Sequence, residues 1–471
     1  MKKSALLSIL VALVVGCSTT SIGPDDDVPD LNLPMELQGT ISMDSVLRNV
    51  EPDSSQPDYR VTGDLSFAAV VTIQPGVVVH VDAGKAITVT AAGAIVSVGA
   101  DSQPIVIRGS QQSSGFWKGI RILSNSPTNE IAYARVEDGG GGSFTGLGVK
   151  ANVTLGSGAR LKLRHAHVVG SGGHGIYLEA VSSRLDGFEE NIVTGNAMSP
   201  VYCRMQHFQH FDTTSSYTGN GDDRITGYYT GVDAEVTGSH VWQPVNVPFT
   251  FEGVDQSIAG QVTLLAGVRL LAEQDAGLIV EQGASLAALG TDAQPVEIKG
   301  EENVAGYWRG INVLSNSTAN RLEHVDLANG GSAGFDGNGY RTNLILGANA
   351  RMVLHRSTIR SSAGWGIFVE GEGASLPEFW SNTIADNALA PIRLRADQFK
   401  YLDTSSLFSR NGKNWIEQHY RFNIRTVVGD HIWKALSVPY YLTGQDLELE
   451  GDGGLDSLDP KLGQGAIWPA G

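Results

Sequence analysis

The chain has 471 residues, with 58 glycines, 17 prolines and only 18% charged side chains. The glycines follow no collagen-like period, and the composition is not that of a disordered chain. A formal net charge of −17 sets up a field that repels nucleic acid and anionic lipid, so nucleic acid is not expected as a partner.

In chain order, Lys2 and Lys3 form a positive segment, and Ala5 to Val15 an apolar run too short to persist as a membrane span. The run ends in Val14-Val15-Gly16-Cys17, which resembles the lipobox of bacterial lipoproteins. That resemblance implies removal of residues 1–16, acylation of Cys17 and stable membrane anchoring by several acyl chains. A plain signal peptide that happens to contain a cysteine is the bland alternative. Ser18, where an aspartate would retain such a protein, implies export to the outer membrane, facing the cell surface or the periplasm. Residues 17–56 read as an Asp-, Pro- and Ser-rich tether running into an N-terminal cap near Leu33 to Val50. Asp25 to Asp27 fit a solvated linker better than a calcium site. With Cys17 acylated, Cys203 has no disulfide partner, and it reads as a buried apolar position.

From residue 57 the chain is written twice. Asp101–Pro104 returns as Asp292–Pro295, Gly115–Ile120 as Gly306–Ile311, Leu123–Ser126 as Leu314–Ser317 and His240–Trp242 as His431–Trp433, each 191 positions on. Repetition at a fixed offset marks a repeat architecture. The boundaries expected are unit 1 at 57–247, unit 2 at 248–438, and a truncated third unit with a C-terminal cap at 439–471. Inside each unit, short runs such as Val71 to Val81, Ile87 to Val98 and Ile105 to Ile107 alternate apolar and polar residues, with Gly, Asn, Ser and Asp between them. That is a strand signal, and no amphipathic helix interrupts it. Ile120, Val149, Ile176 and Val201 open similar strands at intervals of 29, 27 and 25 residues. Gly195-Asn196 and Gly219-Asn220 lie 24 apart, as do Asn387 and Asn411. Coils of that length predict an all-β, right-handed parallel β-helix in which each strand pairs with its equivalent one coil on and asparagines form amide ladders. About sixteen coils at ~4.8 Å each give a body on the order of 75 Å long.

Val71-Thr-Ile-Gln-Pro-Gly76, Gln103-Pro104-Ile105, Trp117-Lys-Gly-Ile120 and the segment His240-Val-Trp242 to Val247-Pro248-Phe249 resemble the motifs of bacterial surface proteins with right-handed parallel β-helix repeats. The resemblance covers most of residues 57–450 and implies fold more than activity. Trp117, Trp308, Trp242 and Trp433 recur at equal places in both units, which suits packing anchors better than a single active site.

Chemistry is harder to read. Gly173-His174-Gly175 and Gly221-Asp222-Asp223 resemble two elements of polygalacturonases, but they occur in reversed order and 48 residues apart. No outward carboxylate cluster of the pectate-lyase kind stands at coil spacing, and His165-Ala-His167 lacks a third metal ligand. Neither catalytic residues, a metal site nor a cofactor are therefore expected. If Ile120, Val149, Ile176 and Val201 point inward, their successors form an outward stripe: Arg121, Lys150, Tyr177 and Tyr202, with Arg204 beyond. Unit 2 supplies Arg341, Phe368, Arg393 and Arg395. Aromatic faces stack on sugars and guanidinium groups clamp carboxylates, so the stripe is a candidate site for an extended, acidic glycan. The same residues also suit plain exposed sheet. The reading is a non-catalytic, membrane-anchored envelope lipoprotein that presents a rigid surface to polysaccharide or to a surface protein. The competing classes are a polysaccharide lyase or glycoside hydrolase acting on acidic polysaccharide, and a purely structural envelope component.

Overall fold

Valine and isoleucine at alternate positions, broken every few residues by glycine or asparagine, produce strands too short to stand alone, so each must be held by the next turn. Ala94–Val98, Ile105–Gly109 and Gly119–Ile122 make one turn, and Glu130–Ala132, Ala134–Glu137 and Ala151–Leu155 the next. Every equivalent pair is parallel, with Val96 opposite Glu130, Ile107 opposite Val136 and Ile120 opposite Val153. The result is an all-β parallel solenoid of about fifteen turns. The computed structural model describes residues 34–467 apart from 52, 230–234, 254, 336–338, 420–425, 429–430, 443–447 and 451–465. Cys17, the expected leader, residues 18–33 of the expected tether and most of the expected C-terminal cap lie outside the described residues. Among the described residues the only helical segments are two 3-10 turns, Met205–His210 and Ala396–Tyr401.

The core is a set of apolar columns along the solenoid. One runs Ile87, Ile120, Val153, Ile176, Val201, Ile225 and Phe249, each residue opposite the last and at most 2% exposed. Each such side chain contributes roughly 1.5–3 kcal/mol of burial. Trp117, Trp308 and Trp242 are fully buried, and Trp433 packs against the same core. Cys203 is buried as expected, and burial pushes its thiol pKa well up. The glycine of the Trp-x-Gly-Ile strand is a steric necessity. Gly119 has φ +110°, and a Cβ there would lie 2.5 Å from the Ala151 carbonyl oxygen.

Asparagine ladders stitch the corners. Asn196 Nδ2 donates to Asn220 Oδ1 at 2.8 Å, and Asn387 Nδ2 to Asn411 Oδ1 at 2.9 Å. A third rung corrects the expected register. Asn152 accepts from the Gly139 N–H at 2.6 Å and donates to the Val169 carbonyl at 2.9 Å. Satisfying those buried backbone groups starts the strand at Ala151, so Val153 rather than Val149 enters the column, and Thr154 rather than Lys150 stands beside Arg121 and Tyr177. Asn343 does the same in the second copy, bonding Gly330 N at 2.6 Å and the Arg360 carbonyl at 2.8 Å. There Ile345 takes the place expected for Arg341.

Strand positions recur at the 191-residue offset: Gly119–Ile122 with Gly310–Val313, and His174–Leu178 with Trp365–Val369. Equivalent strands nevertheless do not share a column. The Ile120 column continues through Phe249–Phe251 into Arg269–Ala272 and Val296–Gly300. The Ile311 column begins separately, at Glu235–Val236, Gln256–Ile258 and Gly277–Val280. The second copy is thus stacked one strand position out of step with the first. At the N-terminal end, Met35–Ile41 and Ser45–Leu47 pair in parallel with Tyr59–Phe67 and Val70–Ile73. The region expected as a cap therefore continues the solenoid by one more turn.

Candidate functional site

The stacking separates the expected stripe into parts. Residues Arg121, Tyr177 and Tyr202 stand on one sheet, Phe368 and Arg393 on another. Lys150 and Arg341 are exposed, each just ahead of its strand. Tyr177 is 1% and Phe368 0% exposed, so neither ring offers a face. Tyr228 covers Tyr177 and anchors its own hydroxyl on the Glu179 carbonyl at 2.7 Å. Phe368 lies under Tyr340, His419 and the Arg393 guanidinium. Tyr202 is stacked between His174, 4.4 Å away, and Tyr228, 4.5 Å away, so both of its faces are occupied.

The guanidinium groups are engaged as well. Arg121 pairs with Glu179 at 3.0 Å, Arg393 with Glu417 at 3.5 Å, and Arg395 with Asp397 at 2.9 Å. Arg204 is 5% exposed, sits over the Tyr228 ring at 4.2 Å and bonds the Tyr228 carbonyl. Its backbone, like that of Arg395, leads into a 3-10 turn. The cause is the composition of a β-solenoid face: outward aromatic and arginine side chains on adjacent turns, about 4.8 Å apart, pack first on one another. The two histidines of His165-Ala-His167 also part company. His165 has φ +47° and stacks on Tyr133, while His167 faces Arg135 at 3.1 Å.

Beside the Tyr202 stack lies a recess of about 480 Å³ that the stripe did not anticipate. Its floor carries the hydroxyls of Ser199, Thr226 and Thr250. Ser199 and Thr226 are 3.0 Å apart, and Thr250 donates to Thr226 at 3.4 Å. One wall holds Asp222, paired with Arg224 at 2.6 Å. Arg224 also reaches across to pair with Glu301. The far wall is a stack of acids. Phe251, Ala272 and Gly300 face one another in successive turns, so the residues that follow them, Glu252, Glu273 and Glu301, rise in a row. Tyr202 donates its hydroxyl to Glu252, and the Gly253 N–H donates to Glu273 at 3.1 Å. Burial, with Glu273 and Glu301 close by, raises the Glu252 pKa. His174 lines the same recess, and burial lowers its pKa to about 4, so it is uncharged at neutral pH.

His174 and Asp222, far apart in the sequence, thus meet here. Asp223 does not join them, because it is spent on the turn, accepting from the Asn220 N–H at 2.7 Å. The glutamates escaped sequence reasoning. The available signal was an acid directly after three successive apolar strands, and it means little until the pairing is known. At the positions 191 residues on, the described residues carry different groups. His174, Tyr202, Asp222, Arg224, Thr226 and Thr250 become Trp365, Arg393, Lys413, Trp415, Glu417 and Tyr441. Those larger side chains pack together, with Trp415 and Tyr441 rings 4.8 Å apart and Lys413 paired with Glu417 at 3.4 Å. Among the described residues no group of three or more His, Cys, Asp or Glu side chains is placed to hold a metal ion.

Fold and recess together define a parallel β-solenoid with a polar lateral cleft, an architecture that fits adhesion proteins and proteins that act on polysaccharide. No protein-family model, no curated protein and no solved structure matches this chain.

Proposed function

We propose that this protein is a lipid-anchored, right-handed β-helix of the bacterial outer envelope that holds an extended glycan against its side without cleaving it. The observation that carries this reading is the recess itself: hydroxyl and carboxylate groups converge in a groove whose floor is rigid sheet. Such groups recognise the hydroxyls of a sugar chain, and a stacked sheet holds them in place without ordering cost. Holding is favoured over cutting because the aspartate beside His174 is already paired, Asp222 with Arg224 at 2.6 Å. Of the original stripe, Lys150 and Tyr202 line the recess, Tyr202 with both ring faces already covered.

The mature protein should retain members of a glycan panel, and Asp222→Asn combined with Thr226→Val should weaken that retention about tenfold or more. A panel that stays silent rejects glycan binding. New reducing ends or unsaturated products from uronic-acid polymers would replace it with the lyase or hydrolase reading, for which the meeting of His174 and Asp222 is the motive. Anchoring rests on the sequence around Cys17. Radiolabelled palmitate should enter the wild type and not Cys17→Ala, and the variant should leave the membrane fraction. Label that persists in the variant removes the lipobox reading.

A further inference from the structure

We propose that the recess beside Tyr202 takes a ligand bearing a primary ammonium group and, resting on the glycan reading above, that the ligand is a polysaccharide with free hexosamine amines. This departs from the acidic glycan that the arginines suggested. The recess is lined by four acidic side chains, Asp222, Glu252, Glu273 and Glu301, against two cationic ones, Lys150 and Arg224. Arg224 is consumed by Asp222 and Glu301. Glu252 and Glu273 stand one turn apart, about 4.8 Å by strand spacing, and neither forms an ion pair with a basic side chain among the described residues. Glu252, partly withdrawn from water, is repelled by the charges of neighbouring Glu273 and Glu301, and a cation among them relieves the repulsion.

A second observation is independent of the acids. His174 is 95% buried by its 5% exposure, lines the recess, and its Nδ1 has no hydrogen-bond partner. As an uncharged imidazole it adds no positive charge to oppose an incoming cation. The acceptors lie along several turns rather than around one point, which suits an organic amine better than a metal ion. A primary ammonium brings three donors and finds two glutamates and the threonine hydroxyls within one groove. The volume of about 480 Å³ falls among those of small-ligand clefts.

The test is calorimetric titration of the full mature chain with a glucosamine tetrasaccharide and with its fully N-acetylated counterpart. The free-amine sugar should bind about tenfold or more tightly than the acetylated one, and added salt should narrow the gap. Glu252→Gln with Glu273→Gln keeps side-chain volume and an acceptor for Tyr202, and it should erase the difference while the melting temperature holds. Glu273→Lys, a second route that does not depend on the first variant folding, should abolish binding of the free-amine sugar by supplying a tethered ammonium. Equal binding of both sugars, unaffected by the double variant, overturns the ammonium proposal and leaves glycan binding standing. Binding of spermidine that the double variant abolishes, with neither sugar bound, supports the ammonium site and overturns its assignment to a polysaccharide. Silence from spermidine, both sugars and the wider panel overturns both readings.

Discussion

Trp308→Ala should destabilise the turns around it by about 3–5 kcal/mol, the usual cost of deleting a large buried aromatic. Trp308 is fully buried, and its ring meets Phe251 edge-on at 6.2 Å. Its indole N–H donates to the Ala328 carbonyl at 2.7 Å, so truncation leaves both a cavity and an unpaired acceptor. In a solenoid each turn touches only its neighbours, so the damage should be local. Hydrogen exchange should accelerate across Gly310–Val313, Val325–Ala328 and Thr342–Leu346 while strands such as Val78–Val81 keep their protection. Trp117→Ala should give the mirror result, since Trp117 bonds the Glu137 carbonyl at 2.6 Å in the first copy. Uniform loss of protection along the whole chain in either variant would refute nearest-neighbour coupling, and no loss would deny the tryptophans their anchoring role.

Acidification from about pH 6.5 to pH 4 should remove a large part of the stability of the turns around Met205–His210. Burial lowers the pKa of His207 to about 3, that of His210 to about 4 and that of His174 to about 4. In the unfolded chain these groups titrate near 6.5, so below that pH the unfolded state takes up protons that the folded state refuses. The stabilisation is therefore full above about pH 6.5 and is lost progressively as pH falls toward these lowered values. Each is worth on the order of 3 kcal/mol, so three together outweigh the opposite effect of Asp138, whose pKa burial raises to about 6.

His207 offers a clean test. It accepts from the Arg204 N–H at 3.2 Å and bonds the Ser183 carbonyl at 3.0 Å, so a second ring proton has nowhere to go. The second copy solves the same geometry with Gln398, which accepts from the Arg395 N–H at 3.0 Å and donates to the Ala374 carbonyl at 3.0 Å. His207→Gln should thus fold normally at pH 7 and move the acid-unfolding midpoint to lower pH. An unchanged midpoint would show that His207 does not carry the acid sensitivity.

That substitution shows how much the repeat makes legible. The exchange of His207 for Gln398 is visible in the sequence at the 191-residue offset, but that both side chains bridge the same two backbone groups is not. The buried tryptophans, the asparagine rungs and the apolar slot of Cys203 were read correctly because each depends on residues close in sequence or repeated at coil spacing. The outward stripe was read on the assumption that Val149 and Lys150 begin their strand. Nothing local separates that register from the one shifted by four residues, and only the bonds of Asn152 to Gly139 and Val169 decide it.

The amino-acid sequence by itself determined that this chain winds as a parallel β-solenoid and supplied much of its apolar interior, because period-two burial and corner asparagines are short-range constraints, but it left the register at Asn152 open. The tertiary structure alone decided which outward residues become neighbours. Stacking the second copy one strand position out of step divided the stripe between two sheets, and the same stacking aligned Glu252, Glu273 and Glu301 beside Asp222. The physical reason is that backbone ladders pair any strand with any other of similar length. The choice of rung therefore falls to the connecting segments and to the buried polar groups that must be satisfied between turns.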